Sequence, residues 1–307
     1  SWTIPPFAGD IVDGVIYGRG ACDMKGSVAA FAAAAVDFVS SCGGNLPGSI
    51  SLLITGDEEG PAINGTIKVL EWMKANGQVP DHAVVGEPTC PEALGDTIKI
   101  GRRGSIHFEI SVSGVQGHSA YPHKAVNPIP KLACLIDKVA RARLDEGTEH
   151  FEPSTLSVSS FDVGNPAHNV IPERATARFN VRYNSKHTAD SLTRWVHAQC
   201  DEVARELGGR FDIKTVESAE CFYTGPGPLV DIVSAAVTGE TGLTPELSTG
   251  GGTSDARFIK DYCPVVEFGP INQTIHQVDE RIGVDELKAL TRIYRAMLER
   301  YFAETGK

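Results

Sequence analysis

No apolar run in this chain approaches the roughly 20 residues a helix needs to cross a bilayer, and its start, Ser-Trp-Thr-Ile-Pro-Pro-Phe, lacks the regions of a secretory signal. Basic residues are in short supply: 28 Lys and Arg stand against 39 Asp and Glu, a net charge of -11. Nucleic-acid and membrane surfaces want clustered cations, so neither partner is expected, whereas bound divalent cations would offset part of the charge. The seven cysteines are odd in number, spread along the chain and free of any C-x-x-C pair. That pattern argues against both a disulfide framework and a thiolate zinc site and leaves reduced, packing residues. No internal repeat or low-complexity stretch is present. A soluble, cytoplasmic protein is the default expectation. An initiator Met is also lacking, and Trp2 to Phe7 reads as the middle of a loop, so an upstream segment is expected.

What is there suffices for a sizeable core: 307 residues, 41% of them hydrophobic, with about two domains expected from length. The runs Ser49 to Thr55 and His82 to Val85 are short, β-branched and glycine-bounded, as buried parallel strands are. Helices are predicted over Lys25 to Ser40 and Asn64 to Ala75, giving a βαβ rhythm, and a first strand over Ile11 to Tyr17. The period changes near Gly104. Ile106, Phe108, Ile110 and Val112 alternate with polar residues, as do Ala175, Ala177, Phe179 and Val181, which suits an antiparallel sheet with one solvated face. Helices at about Asn127 to Arg143 and Thr188 to Leu207 accompany it. The first pattern then resumes with a helix at Leu229 to Thr241, a strand at Pro264 to Phe268 and a closing helix at Val284 to Phe302. The expected fold is α/β: a discontinuous domain with a mostly parallel sheet (1–103 and 217–307), interrupted by an α+β domain with an antiparallel sheet and two helices (104–216).

Chemistry concentrates at the predicted strand ends. Asp23, Glu58, Glu59, Glu87 and His276 sit in Gly-Arg-Gly-Ala-Cys-Asp-Met-Lys-Gly, Ile-Thr-Gly-Asp-Glu-Glu-Gly, Val-Val-Gly-Glu-Pro and Thr-Ile-His. Carboxylates with an imidazole form a ligand set for zinc or a similar divalent ion that activates water. Taken singly, each has a plainer reading. Asp23 alone reads more readily as a helix N-cap, Asp-Glu-Glu as a solvated acidic turn, Glu87 as a loop acid and His276 as a surface residue. Two adjacent carboxylates in one cleft, however, repel unless a cation or proton separates them. One can bind metal while its neighbour accepts a proton.

These segments, with Gly-Arg-Arg-Gly-Ser, Val-Gln-Gly-His-Ser-Ala-Tyr-Pro-His, Asn-Val-Ile-Pro and Gly-Gly-Thr-Ser-Asp-Ala-Arg-Phe, resemble the zinc-dependent aminoacylases and carboxypeptidases, in order over nearly the whole chain. Within that family the likeness is greatest to the branch that removes succinate from N-succinyl-LL-2,6-diaminopimelate. The resemblance implies two zinc ions per subunit, with cobalt as a substitute. Asp23 would bridge them, Glu59 and His276 would complete one and Glu87 would serve the other. Glu58 would be the general base that deprotonates the attacking water and returns the proton to the leaving amine. The inserted domain would act as a dimerisation and lid domain of a homodimer, with His118 stabilising the oxyanion in the partner subunit's site. Arg102, Ser105, Tyr121, Asn169, Arg182, Thr253 and Asn272 fall at the family's substrate-binding positions, for a small N-acyl amino acid.

The family's His-x-Asp motif is not found in this sequence. The zinc served by Asp23 and Glu87 would then lack its imidazole, so a single firmly held ion and impaired turnover are expected. Rival readings fare worse or share the site. A phosphate-binding P-loop needs Gly-Lys-Ser/Thr, and it fails here because Lys25 precedes Gly26, while no G-x-S-x-G elbow supports a serine hydrolase. A sibling deacylase, such as an acetylornithine deacetylase, would share the metal ligands. A truncated, non-catalytic dimerising or binding protein would have no use for Glu58.

Overall fold

The structure, a computed structural model, describes residues 1–60 and 62–304. The chain divides into two compact units. One comprises Ser1–Gly101, Tyr223–Thr249 and Ser254–Lys307, and the other Arg102–Phe222 and Gly250–Thr253.

In the first unit a four-stranded sheet runs in the order Glu246–Ser248, Thr97–Lys99, Val265–Glu267, Ala83–Val85. Its outer pairs are parallel and the central pair is antiparallel. Helices Gly26–Ser41, Pro228–Thr241 and Val284–Glu304 supply the rest of the core. Spacing explains their packing. Ala30 and Ala34 lie one turn apart on the first helix, and Leu290, Ile293, Tyr294 and Met297 form a stripe on the last; all are buried together with Ile98, Val266 and Phe268. Tyr294 meets the edge of Phe31 at 5.4 Å, and its buried hydroxyl donates to Phe268 O at 2.7 Å, which removes the cost of an unpaired polar group.

Two sequence expectations fail here for identifiable reasons. The predicted strand Ile11 to Tyr17 is instead a hairpin, Ile11–Val12 with Val15–Tyr17. Asp13 and Gly14 both have positive φ, 51° and 79°, the backbone of a two-residue turn that matches strand twist. The run Ser49 to Thr55 is not a strand at all. None of the described residues pairs with its backbone, and Leu52 and Ile54 are 48% and 65% exposed, so β-branched composition alone does not make a ladder.

The second unit follows the alternation closely. Its antiparallel sheet has the order Arg210–Ala219, Gly104–Ser113, Arg174–Tyr183, Thr155–Asp162. Phe108 lies opposite Phe179 and the rings stack at 5.0 Å. Helices Ile129–Ala140 and Ala189–Leu207 contribute Leu132, Leu135 and Val139, and Leu192, Val196 and Val203, to the same core. Each fully buried large side chain contributes about 1.5–3 kcal/mol relative to exposure. The longer helix opens with a capping box, in which Thr188 and Ser191 satisfy each other's backbone N–H groups.

Candidate metal centre

The turn Ala21–Lys25 carries Asp23 into the site. The helix that follows begins only at Gly26, with Lys25 at its N-cap position and no side-chain cap, so the N-cap reading of Asp23 does not hold. With φ -114° and ψ 94°, Asp23 is extended rather than helical, and its carboxylate is free of the helix end. Glu58 and Glu59 sit on a loop braced by the third acid of the triplet. Asp57 Oδ2 accepts from the backbone N–H groups of Ile63 at 2.7 Å and Asn64 at 2.9 Å. His276 enters from a loop with its own φ at 56°, a conformation that costs a non-glycine residue energy and is tolerated where the surroundings impose it.

The three converge. One ligand atom each from Asp23, Glu59 and His276 lie within 4.8 Å of one another. His276 Nε2 is 3.3 Å from Asp23 Oδ2 and 2.9 Å from Glu59 Oε1. The first separation matches the edge of about 3.4 Å that a tetrahedron has when its bonds are about 2.1 Å, and the second is a hydrogen bond a few tenths shorter. A borderline nitrogen with two hard oxygens at this spacing fits a divalent metal ion.

Electrostatics mark the same spot as costly to assemble without a cation. Burial, then the charge of Glu59, raises Asp23 above the ordinary aspartate value, with His276 opposing. The hydrogen bond to Glu59 raises His276 above the usual imidazole value, and the charges of Glu59 and Asp23 add to it. Glu58 is pushed up to about 7, first by burial and then by the carboxylates of Asp255, Glu59 and Asp23, with Arg257 opposing. Asp255 is itself nearly buried. Its Oδ2 accepts from the Thr66 hydroxyl at 2.5 Å, which leads on to the Thr55 hydroxyl at 3.0 Å.

Glu87 stands outside this three-residue group. It follows strand Ala83–Val85 beside Gly269, where a Cβ would meet Glu87 O at 2.4 Å and Gly86 O at 2.6 Å, so only glycine lets the two backbones approach. Glu87 is still within electrostatic reach of the Asp23 turn. Burial pushes the Cys22 thiol up to about 12, and Glu280, Glu286, Asp23 and Glu87 reinforce that shift. Asn272, in the same unit, is held by its backbone, whose N–H donates to Cys90 O at 2.8 Å.

The other candidates belong to the second unit, apart from Asn272. Gly117–His118 pairs with Val170–Ile171, Ser119 N donates to Asn169 O at 2.9 Å, and the His118 and Tyr121 rings lie 5.7 Å apart, so these three residues form one exposed cluster. Ala120 N donates to His118 Nδ1 at 3.0 Å, which leaves Nε2 to carry the proton of the neutral ring. Arg182 faces Ser105 in the ladder. Burial, then the charge of Arg103, lowers its pKa, and its buried Nη1 finds no hydrogen-bond partner among the described residues. Ser105 is buried and accepts from Asn180 at 3.0 Å, while Arg102 reaches Gly250 O at 3.3 Å in the segment that carries Thr253.

Sequence reasoning missed Asp57, Asp255 and Glu280 as members of the site's support. The first had a local signal, since an Asp opening a turn accepts from the residues after it. Asp255 lay in the quoted Gly-Gly-Thr-Ser-Asp-Ala-Arg-Phe segment but its role did not show there, and Glu280 had no signal, because the partners of both lie far away in the chain.

Fold and site together fit a hydrolase built on an α/β scaffold, with three residues placed to hold a metal ion. The chain belongs to the peptidase family M20/M25/M40, whose model matches residues 1–300. It is 58% identical over 303 residues to a succinyl-diaminopimelate desuccinylase from Rhodospirillum centenum, covering 99% of this chain and 77% of that protein. It is 55% identical to the protein of that name from Paracoccus denitrificans, covering 99% of this chain and 79% of the other. Among solved structures, aminopeptidase PepT from Bacillus cereus superposes with a TM-score of 0.77 at 21% identity, over 95% of this chain and 75% of the other. A dinuclear metal binding peptidase of the M20 family from Bacillus subtilis does so with 0.67 at 19% identity, over 91% and 72%. At those identities the structural likeness speaks for the fold alone.

Proposed function

We propose that the protein is a metal-dependent amide hydrolase that removes succinate from N-succinyl-LL-2,6-diaminopimelate, a step toward diaminopimelate and lysine. The observation that carries the chemistry is the convergence of Asp23, Glu59 and His276 beside a glutamate whose proton affinity is raised to about 7. The named relatives carry the substrate. Asp23, Glu59 and His276 would hold a zinc ion, or cobalt in its place, with Glu87 serving a second ion, and the bound metal would supply Lewis acidity to the amide carbonyl and to water. Glu58 accepts the proton of the attacking water and delivers it to the amine nitrogen as the C–N bond breaks, a task for a carboxylate that stands beside the ligands and does not itself touch the metal.

The second unit serves as dimerisation and lid domain of a homodimer, and the first as the catalytic domain. His118 presents its Nε2–H to the oxyanion in the partner's site, a role supported by the tautomer that Ala120 N–H selects. Arg182 offers a partly desolvated guanidinium with a free donor to a substrate carboxylate. Arg102, Ser105, Tyr121, Asn169, Thr253 and Asn272 complete the binding positions. A cytoplasmic setting accords with a biosynthetic small-molecule substrate, and no helix among the described residues is long and apolar enough to span a membrane.

The test is a comparison of kcat/KM for N-succinyl-LL-diaminopimelate and N-acetylornithine with zinc-loaded protein, read as amine release. A ratio of at least tenfold toward the succinyl substrate is expected, whatever the absolute rate. A ratio reversed toward the acetyl substrate assigns the chain to a sibling deacylase, and no zinc-dependent release from either removes the reading.

A further inference from the structure

Glu280 is a buried carboxylate, 1% exposed, that makes four hydrogen bonds to one short stretch of chain. Its Oε1 accepts from the backbone N–H groups of Cys22 at 3.0 Å and Asp23 at 2.9 Å. Its Oε2 accepts from Gly20 N at 2.7 Å and from Arg19 Nη1 at 2.9 Å. These donors need an outside acceptor because the turn is not helical at Asp23, so a regular i to i-4 carbonyl does not serve them. Glu280 is fixed in its own right: its carbonyl accepts from Gly18 N at 3.0 Å, and the next residue opens strand Arg281–Gly283, which pairs with Val15–Tyr17. His276 lies four residues before Glu280 on the same loop. One side chain therefore ties the segment bearing Asp23 to the segment bearing His276.

We propose that Glu280 is the positioning residue of the metal centre, a buried carboxylate that sets the spacing of Asp23 and His276 through the backbone of the Gly20–Asp23 turn. The proposal rests on the reading of Asp23 and His276 as metal ligands. A carboxylate is the chemistry this position demands, because it offers acceptors alone and four donors converge on it. Glutamine in its place would aim an amide N–H₂ at one pair of those donors, and aspartate would fall one methylene short of them. Supporting side chains of this kind change metal affinity by about 10–100-fold when altered.

The experiment uses the full chain as wild type, Glu280→Gln and Glu280→Asp. Three readouts are taken on each: zinc affinity by competition with a chelating dye, the visible absorption of the Co²⁺-loaded protein, and the melting temperature without metal. Glu280→Gln is expected to bind zinc at least tenfold more weakly and to show an altered Co²⁺ spectrum while still melting cooperatively. Glu280→Asp is expected to lie between it and wild type. Unchanged zinc affinity and an unchanged Co²⁺ spectrum in a folded Glu280→Gln overturn the proposal. If that variant does not fold, Glu280→Asp decides by the same criteria; if neither folds, Glu280 is a residue of the fold and the proposal is likewise overturned. A wild type that binds no zinc removes the metal-centre reading instead, a separate outcome.

Discussion

His276 Nε2 stands 2.9 Å from Glu59 Oε1 although 217 residues separate them in the chain. Both side chains are largely exposed, 64% and 59%, so little apolar burial holds them together, and their meeting is set by the loops that carry them. An exposed pair of this kind contributes at most about 1 kcal/mol to stability. His276→Ala and Glu59→Ala are therefore expected to melt within a few degrees of wild type. Each removes one of three gathered ligands, and zinc affinity is expected to fall by two to three orders of magnitude, roughly 3–4 kcal/mol at 1.4 kcal/mol per decade. Dye competition and thermal melting on the same samples check both halves; a large loss of stability with zinc affinity intact would contradict the assignment.

Glu58, Asp23 and His276 give the metal-free protein a common pH dependence. All three have folded values above their ordinary ones, Glu58 at about 7. For each, the folded state holds its proton more firmly than the unfolded state does. The stabilisation is complete below the unfolded value and is lost as pH rises through the folded one. In chelator, the melting temperature is expected to fall between about pH 5 and pH 7.5, and saturating zinc is expected to reverse much of that fall by replacing protons as the counter-charge. The rate of the zinc-loaded protein should run the other way, rising with pH as Glu58 ionises because only the carboxylate accepts a proton, at a lower pH than in the metal-free protein because the cation's charge favours the carboxylate. A metal-free melting temperature that climbs across this range, or a Glu58→Gln variant that keeps the wild-type rate, would count against the role of Glu58.

Legibility in the sequence followed the range of the interactions. The period-two runs around Phe108 and Phe179 revealed their sheet because adjacent residues on a strand face opposite sides, a rule that needs no partner. The Ala-rich run before Ser41 revealed its helix for the same reason. Ser49 to Thr55 misled because a strand exists only with a neighbour, and Asp13-Gly14 was read through as strand although that dipeptide is a strong turn signal. In the site, Asp23, Glu59 and His276 could be picked out by their chemistry and glycine-rich settings. Glu280 could not, since an acid between Asp279 and Arg281 looks like an ordinary surface residue until its backbone partners, 257 to 260 residues away, are seen. Asp255 was hidden in the same way behind Thr66.

Asp145 anchors the second unit as Glu280 anchors the site. Its carboxylate accepts from Gly147 N at 2.6 Å, Asn184 Nδ2 at 2.6 Å and Ser154 N at 3.2 Å, with His187 Nε2 at 3.1 Å. Burial acts to raise its pKa, but the donors from Ser154, Gly147 and Asn184 outweigh it and hold the carboxyl well below the usual aspartate range. A depressed acid contributes stability above its unfolded value, and that contribution is lost only as pH falls through the folded one. Asp145→Ala leaves several donors without an acceptor and is expected to destabilise the protein by about 2–4 kcal/mol at pH 7. The loss should shrink below pH 3 in chemical denaturation, as the wild-type carboxyl takes up its own proton. Zinc affinity should be unchanged, since every ligand and Glu280 lie in the other unit.

The count of metal ions discriminates between one competent site and two. Among the described residues only Asp23, Glu59 and His276 bring three ligand atoms together, and Glu87 lies outside that group. Among the described residues no third ligand groups with Asp23 and Glu87, and two carboxylates alone are a donor set suited to weak, exchangeable binding of zinc. The 307-residue polypeptide is thus expected to retain close to one zinc per chain after gel filtration and to take up a second only at much higher free metal. Glu87→Gln should leave the first equivalent in place and abolish the second, whereas Glu59→Gln should remove the first. Elemental analysis showing two firmly held ions in the wild type, with turnover matching that of the longer relatives, would overturn the one-site expectation while leaving the ligand assignment of Asp23 intact.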